Sequence, residues 1–210
     1  FEFEFYLLIR PFQVNPYYQF LNLTGGAGKI YSIREETPGK KIAVDSKTVF
    51  SSRKFDSFYA GLFDEGNLVE LLREGKYLKK KEAIDKNGLA NGMIKYHIRL
   101  NAGEKTEIYL SVPFYDNILT DTEAGDEAFS KSFEETSRFW QGKTDHIRFR
   151  LPESANRIVN TYKANLAYIL INRDEAGIQP GSRSYERSWI RDGALTSSAS
   201  LKSGIVDEVR

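Results

Sequence analysis

Residues 184–196 read SYERSWIRDGALT, and they gather two arginines, a glutamate and an aspartate within seven positions around Trp189. An arginine offers a planar fork of donors and an aspartate offers two acceptor oxygens, the complement of neighbouring hydroxyls on a neutral polyol. Adjacent Arg191 and Asp192 suit such a ligand, with Trp189 as an apolar wall. The same residues also have a purely local reading, with Asp192 as a helix N-cap, Arg191 as its ion-pair partner and Trp189 as core. Residue types alone leave both open.

Other stretches that could do chemistry are weaker. TGGAGKI at 24–30 has neither the spacing nor the hydroxyl of a phosphate loop, since Leu23 stands five before Gly28 and Ile30 follows Lys29. It reads as a turn between strands. RPFQVNPYYQFLN at 10–22 combines aromatics with amides, the equipment of a sugar platform, and equally of a loop packed by its rings. Packing is the favoured reading of that loop. The sequon at Asn22 is a weak signal. The pairs Asp64–Glu65 and Glu134–Glu135 read as solvated charge.

Composition excludes several classes. The chain has 30 basic and 29 acidic residues and a net charge of +1, which argues against a nucleic-acid or anionic-membrane surface as its main business. It has no cysteine, so disulfides, thiolate metal sites and a cysteine nucleophile are out. Its two histidines, His97 and His146, are far apart and read as strand residues rather than ligands. No metal or other cofactor is expected. No apolar run reaches the ~18 residues of a membrane helix. FEFEFYLLI at the start resembles the inside of a strand, and the chain reads as a piece of a longer protein, which leaves its localisation open.

The elements that must position the candidate residues follow from periodicity. Phe1, Phe3 and Phe5 alternate with glutamates, and a further strand is expected around Ile30, Tyr31 and Ile33. Ile42 and Val44 should pair with Val49 across DSK, and Phe58, Ala60 and Leu62 should form the next strand. Residues 68–73, LVELLR, predict a short helix. Ile94–Leu100 and Thr106–Val112 alternate on either side of NAGEK and predict a hairpin. The period then changes: Phe129, Phe133, Thr136 and Trp140 form one stripe of a helix ending near Gly142. A second amphipathic helix, with Ser154 as N-cap, runs to about Arg173, and a third runs from near Gly193 to Gly204. The order is β first, then α, an α+β chain with an antiparallel sandwich at 1–120, a helix at 121–143 and a helical part at 144–210.

WIRDGA, set after a long amphipathic helix and before a shorter one, resembles the Trp-x-Arg-Asp motif of glucoamylase-type glycoside hydrolases, members of the six-hairpin (α/α)6-barrel glycosidases. The element order is similar to that of their prokaryotic members: a large (supersandwich-like) β-sandwich, a linker helix, then the barrel. The resemblance implies that Arg191 and Asp192 bind hydroxyls of the sugar at the cleavage subsite, with Trp189 shaping the wall. Tyr185 and Arg187 lie outside the motif and take no role from it. It further implies an inverting hydrolysis of glucosides, in which one carboxylic acid protonates the leaving oxygen and a carboxylate ~6.5–9.5 Å away activates water. A phosphorylase, with phosphate in place of that water, fits equally well. Both catalytic glutamates would lie past Arg210, so no catalytic residue is assigned, and the 210 residues alone are expected to be inactive. The expected partners are a carbohydrate substrate and the remainder of the helical domain. The alternative is a non-catalytic carbohydrate- or protein-binding sandwich that uses the aromatic loop at Pro16 to Phe20.

Overall fold

The computed structural model describes residues 1–15, 26–66, 68–76, 79–114, 125–175, 177–182 and 185–209. The aromatic loop at Pro16 to Phe20, Asn22 and Ser184 lie outside the described residues. The chain is α+β, with antiparallel strand ladders followed by helices. It falls into two compact units, Phe1–Val14 with Gly26–Lys131, and a second built around Ser132–Arg210.

The first unit holds strands β1 (Glu2–Ile9), β2 (Phe12–Asn15), β3 (Gly26–Gly28), β4 (Ser32–Thr37), β5 (Lys41–Val44), β6 (Lys47–Ser51), β7 (Ser57–Leu62), β8 (Glu82–Ile84), β9 (Ala90–Arg99) and β10 (Leu110–Ser111). A short helix, α1 (Leu68–Arg73), lies where LVELLR predicts it. The strands form a three-stranded sheet in the order β1-β9-β7, a five-stranded sheet in the order β10-β6-β5-β4-β8, and a ribbon of β2 with β3. The ladders are antiparallel, while the isolated bridge between Ile30 and Leu89 is parallel. As expected, Ile42 pairs with Val49. The turn between β5 and β6 holds Asp45 at φ 49, where its carboxylate accepts the backbone N–H groups of Tyr31 and Ser32 at 3.0 and 2.7 Å.

Period-two alternation sends Ile94, Tyr96 and Ile98 of β9 and Phe58 and Ala60 of β7 to one face, where they meet Ile33, Ile42 and Val49 of the five-stranded sheet in one core. Burying several large side chains of this kind contributes ~1.5–3 kcal/mol each before conformational entropy is charged against it.

The predicted 94–100/106–112 hairpin does not form. β9 pairs along its length with β1 (Phe3 opposite Ile98, Phe5 opposite Tyr96) and on its other edge with β7. Residues 104–109 are not in a strand, and Leu110–Ser111 pairs with β6 in the other sheet. Alternation specifies which face a side chain takes, and it carries no information about the partner strand. With both edges of β9 occupied, the NAGEK turn carries the chain across to the second sheet.

The second unit is helical. Helix α2 (Asp126–Thr144) begins in the first unit and runs into the second. It is followed by α3 (Asn156–Ile171), the short pair β11 (Arg173–Asp174) and β12 (Gly177–Ile178), and α4 (Ile190–Lys202). Its core is small: Leu166, Leu170 and Ile205, with Trp140 and Ile147 packed against them. Ser154 is not the N-cap of α3. A 3₁₀ turn over Glu153–Ala155 precedes the helix, and Ala155 holds the cap position without a side-chain bond. His146 lies in the turn after α2 rather than in a strand, and its Nε2 meets Ser203 O at 2.8 Å.

Candidate functional site

Helix α4 starts three residues earlier than its sequence pattern predicts. Trp189 is extended (φ −102°, ψ 121°) and takes the cap position, and Gly193 N–H donates to Trp189 O at 2.7 Å. The local reading of Asp192 as N-cap is therefore corrected: Asp192 is the third helical residue, an acid in the first turn. There its charge still favours the helix N-terminus by ~0.3–1 kcal/mol.

The start of α4 rests on the β11–β12 pair. A Cβ at Gly193 would lie 3.7 Å from Ile178 O, and one at Gly177 (φ 137) would lie 3.3 Å from Ser188 Oγ. Gln179 N–H donates to Asn172 O at 3.0 Å, which extends the pairing of the hairpin toward α3, and Arg173 Nε donates to Glu208 O at 2.7 Å, which ties it to the segment after α4. Thr196 Oγ1 donates to the carbonyls of Asp192 and Gly193 at 2.9 and 3.2 Å, which leaves the Asp192 carboxylate free of that hydroxyl.

The three candidate residues differ in exposure. Arg191 is exposed, while Asp192 and Trp189 are half-buried. Among the described residues, neither the guanidinium nor the carboxylate makes a hydrogen bond or ion pair, so the Arg191–Asp192 ion pair of the local reading is absent. The geometry explains it: successive helical residues diverge by about 100° and do not face each other. Trp189 stands at the cap and Asp192 is the third residue of the helix, with Arg191 between Ile190 and Asp192 in the first turn. The indole Nε1 of Trp189 is buried and has no hydrogen-bond partner. The first turn of α4 and its cap thus carry one donor without a partner, one free carboxylate and one free guanidinium. Chemically, this arrangement can hold hydroxyl groups. It supplies no acid–base pair.

Other polar clusters have structural explanations. On the outer face of the three-stranded sheet, Arg99 and His97 hold Glu2 at 3.0 and 2.8 Å, and Lys95 pairs with Glu4. Arg99 first, then His97, keeps the Glu2 carboxyl below its usual range, as Lys95 does for Glu4. Tyr162 OH meets Ser203 Oγ at 2.6 Å, and Ser203 Oγ donates to Ala199 O at 2.7 Å, closing the end of α4. No group of three or more metal-binding side chains occurs among the described residues, and no helix there is long and apolar enough to cross a membrane. Asn91, whose buried Oδ1 has no partner, carries no signal in the sequence, since it lies before the Ile94–Leu100 alternation and nothing local marks an unsatisfied acceptor. No protein-family model, curated protein or solved structure matches this chain.

Proposed function

We propose that the Trp189–Arg191–Asp192 turn holds hydroxyls of a glucoside, as one edge of the substrate site of an inverting, glucoamylase-type glycoside hydrolase. In this reading the first unit is its sandwich, α3 and α4 begin its (α/α)6 barrel, and the catalytic carboxylates lie outside these 210 residues. The observation that carries the reading is the buried indole N–H of Trp189, without a partner, at the cap of the helix whose first turn carries the free Asp192 carboxylate. A buried donor left unpaired costs ~1–3 kcal/mol, a cost that a ligand oxygen removes. The exposed apolar residues Ile158, Tyr168, Ile171 and Leu195 on α3 and α4 also suit helices that further barrel helices would cover.

The test is Asp192→Asn in the longer protein. Loss of a charge-assisted hydrogen bond in the transition state, about 1.5–3 kcal/mol, lowers kcat/KM by roughly ten- to a hundredfold. Stability falls only by the helix-terminus contribution, about 0.3–1 kcal/mol. A kcat/KM within twofold of the parent would refute the role. The 210-residue chain alone should hydrolyse no aryl glucoside, and turnover by the pure chain would place the chemistry elsewhere.

A further inference from the structure

Residues of β9 that alternate with its core positions, Asn91, Met93, Lys95, His97 and Arg99, point to the outer face of the three-stranded sheet. One end of that face is the polar ladder of Glu2, Glu4, Lys95, His97 and Arg99. The other end is apolar and carries a cavity of 190 Å³, walled by Leu8, Pro11, Phe63, Leu68, Val69 and Leu89. Two polar side chains line it as well, Asn91 and Arg10.

Asn91 is 6% exposed. Its Nδ2 donates to Leu89 O at 3.4 Å, which sets the orientation of the amide and leaves Oδ1 as the atom without a partner. Rotating the amide would put its oxygen against the Leu89 carbonyl, so the orientation is not arbitrary. The register partner of Asn91 on β7 is Gly61, which sends no side chain across to it. An asparagine buried with an unused acceptor is disfavoured against an apolar residue of similar size, unless something donates to that oxygen. Arg10 at the same cavity is exposed and, among the described residues, makes no hydrogen bond or ion pair.

We infer that this cavity is a binding site for a small, largely apolar organic acid, whose hydroxyl or amide N–H donates to Asn91 Oδ1 and whose carboxylate meets Arg10. The walls take the apolar body, the buried acceptor selects the donor end, and the exposed guanidinium selects the charge. The size is limited: 190 Å³ is below the ~300–1,000 Å³ of drug-sized sites. A single aromatic ring or a branched aliphatic chain fits that limit, and an oligosaccharide does not. The site is independent of the sugar-holding turn of α4, and either can fail without the other.

The experiment is a titration of the 210-residue chain with 4-hydroxyphenylacetate, phenylacetate and 4-hydroxyphenylacetamide, followed by amide NMR shifts in β1, β9 and α1. Saturable binding of 4-hydroxyphenylacetate is expected, with phenylacetate about tenfold weaker for want of the hydroxyl donor. The amide should be about two- to fivefold weaker, as suits an exposed charge. Asn91→Leu should abolish the first difference, and Arg10→Met the second. Arg10 is exposed, so its variant is free of folding effects, and the ligand comparison on the unaltered chain stands even if Asn91→Leu folds poorly. No saturable binding, or binding in which either difference is missing from the unaltered chain, overturns the inference.

Discussion

Gly92 lies in the middle of β9, on the core face, between Ile9 of β1 and Ala60 of β7. A Cβ added there would stand 2.6 Å from Ile33 Cδ1 and 2.8 and 2.9 Å from Phe58 Cε2 and Cζ. Carbon atoms pack best at about 3.5–4.0 Å, so these neighbours must give way by roughly 1 Å. Both are 0% exposed. The Ile33 methyl is a chain end and can rotate, whereas the Phe58 ring moves only as a whole. Overpacking of this kind costs ~1–3 kcal/mol, offset by the ~0.4–1 kcal/mol that replacing glycine removes from unfolded-chain entropy. Gly92→Ala should therefore lose about 1–2 kcal/mol. Ile33→Val deletes the closest atom and alone costs ~0.5–1.5 kcal/mol. Combined with Gly92→Ala, it should cost less than the sum by at least ~0.5 kcal/mol. Both tryptophans, Trp140 and Trp189, lie in the second unit, so indole fluorescence would miss the effect. Urea unfolding followed by far-UV circular dichroism and by hydrogen exchange at β9 amides reads it, with the slope m unchanged. A parental midpoint for Gly92→Ala, or strict additivity in the double variant, would refute the packing argument.

Other expectations concern buried and charged groups. Tyr96 is fully buried with its OH 2.7 Å from Ser51 Oγ, so Tyr96→Phe should lose ~0.5–1.5 kcal/mol in the same unfolding assay. Burial pushes the Tyr96 phenol above its ordinary value, against the smaller opposing effects of Ser51 and Arg53. The unfolded chain thus releases that proton first, and stability should fall as pH rises above about 10, with Tyr96 ionising at higher pH in the folded protein than in the unfolded chain by tyrosinate absorbance. Lys143 holds the Glu208 carboxyl below its usual range. That contribution is present above the unfolded value near pH ~4.3 and is lost as pH falls through the lower folded value. Lys143→Met should accordingly cost up to ~1 kcal/mol at pH 7 and nothing near pH 2, with the loss screened by salt. At Asp45, replacement by asparagine should be milder than by alanine, which loses both acceptors and strains the positive φ, at about 1 kcal/mol in thermal unfolding.

What was legible in the sequence is what local physics dictates. The β5–β6 hairpin, with Ile42 opposite Val49, follows from a short turn between alternating segments, because the turn length itself sets the register. LVELLR forms α1 at the residues expected, and α2 and α3 follow from their apolar stripes. Trp189, Arg191 and Asp192, the residues proposed to hold hydroxyls, are singled out by residue type, which is visible in the sequence without the fold.

The tertiary structure decided the rest, because it joins residues that nothing local connects. The period of β9 does not reveal that its partner is β1 at the far end of the chain rather than the segment after NAGEK. Helix α4 begins at Ile190 because Gly193 N–H bonds back to the Trp189 carbonyl, which makes Trp189 the cap and Asp192 a first-turn acid. The cavity at Asn91 is assembled from β1, β9, α1 and the turns between them. A buried oxygen without a partner is a property of surroundings, and surroundings exist only once the chain has folded.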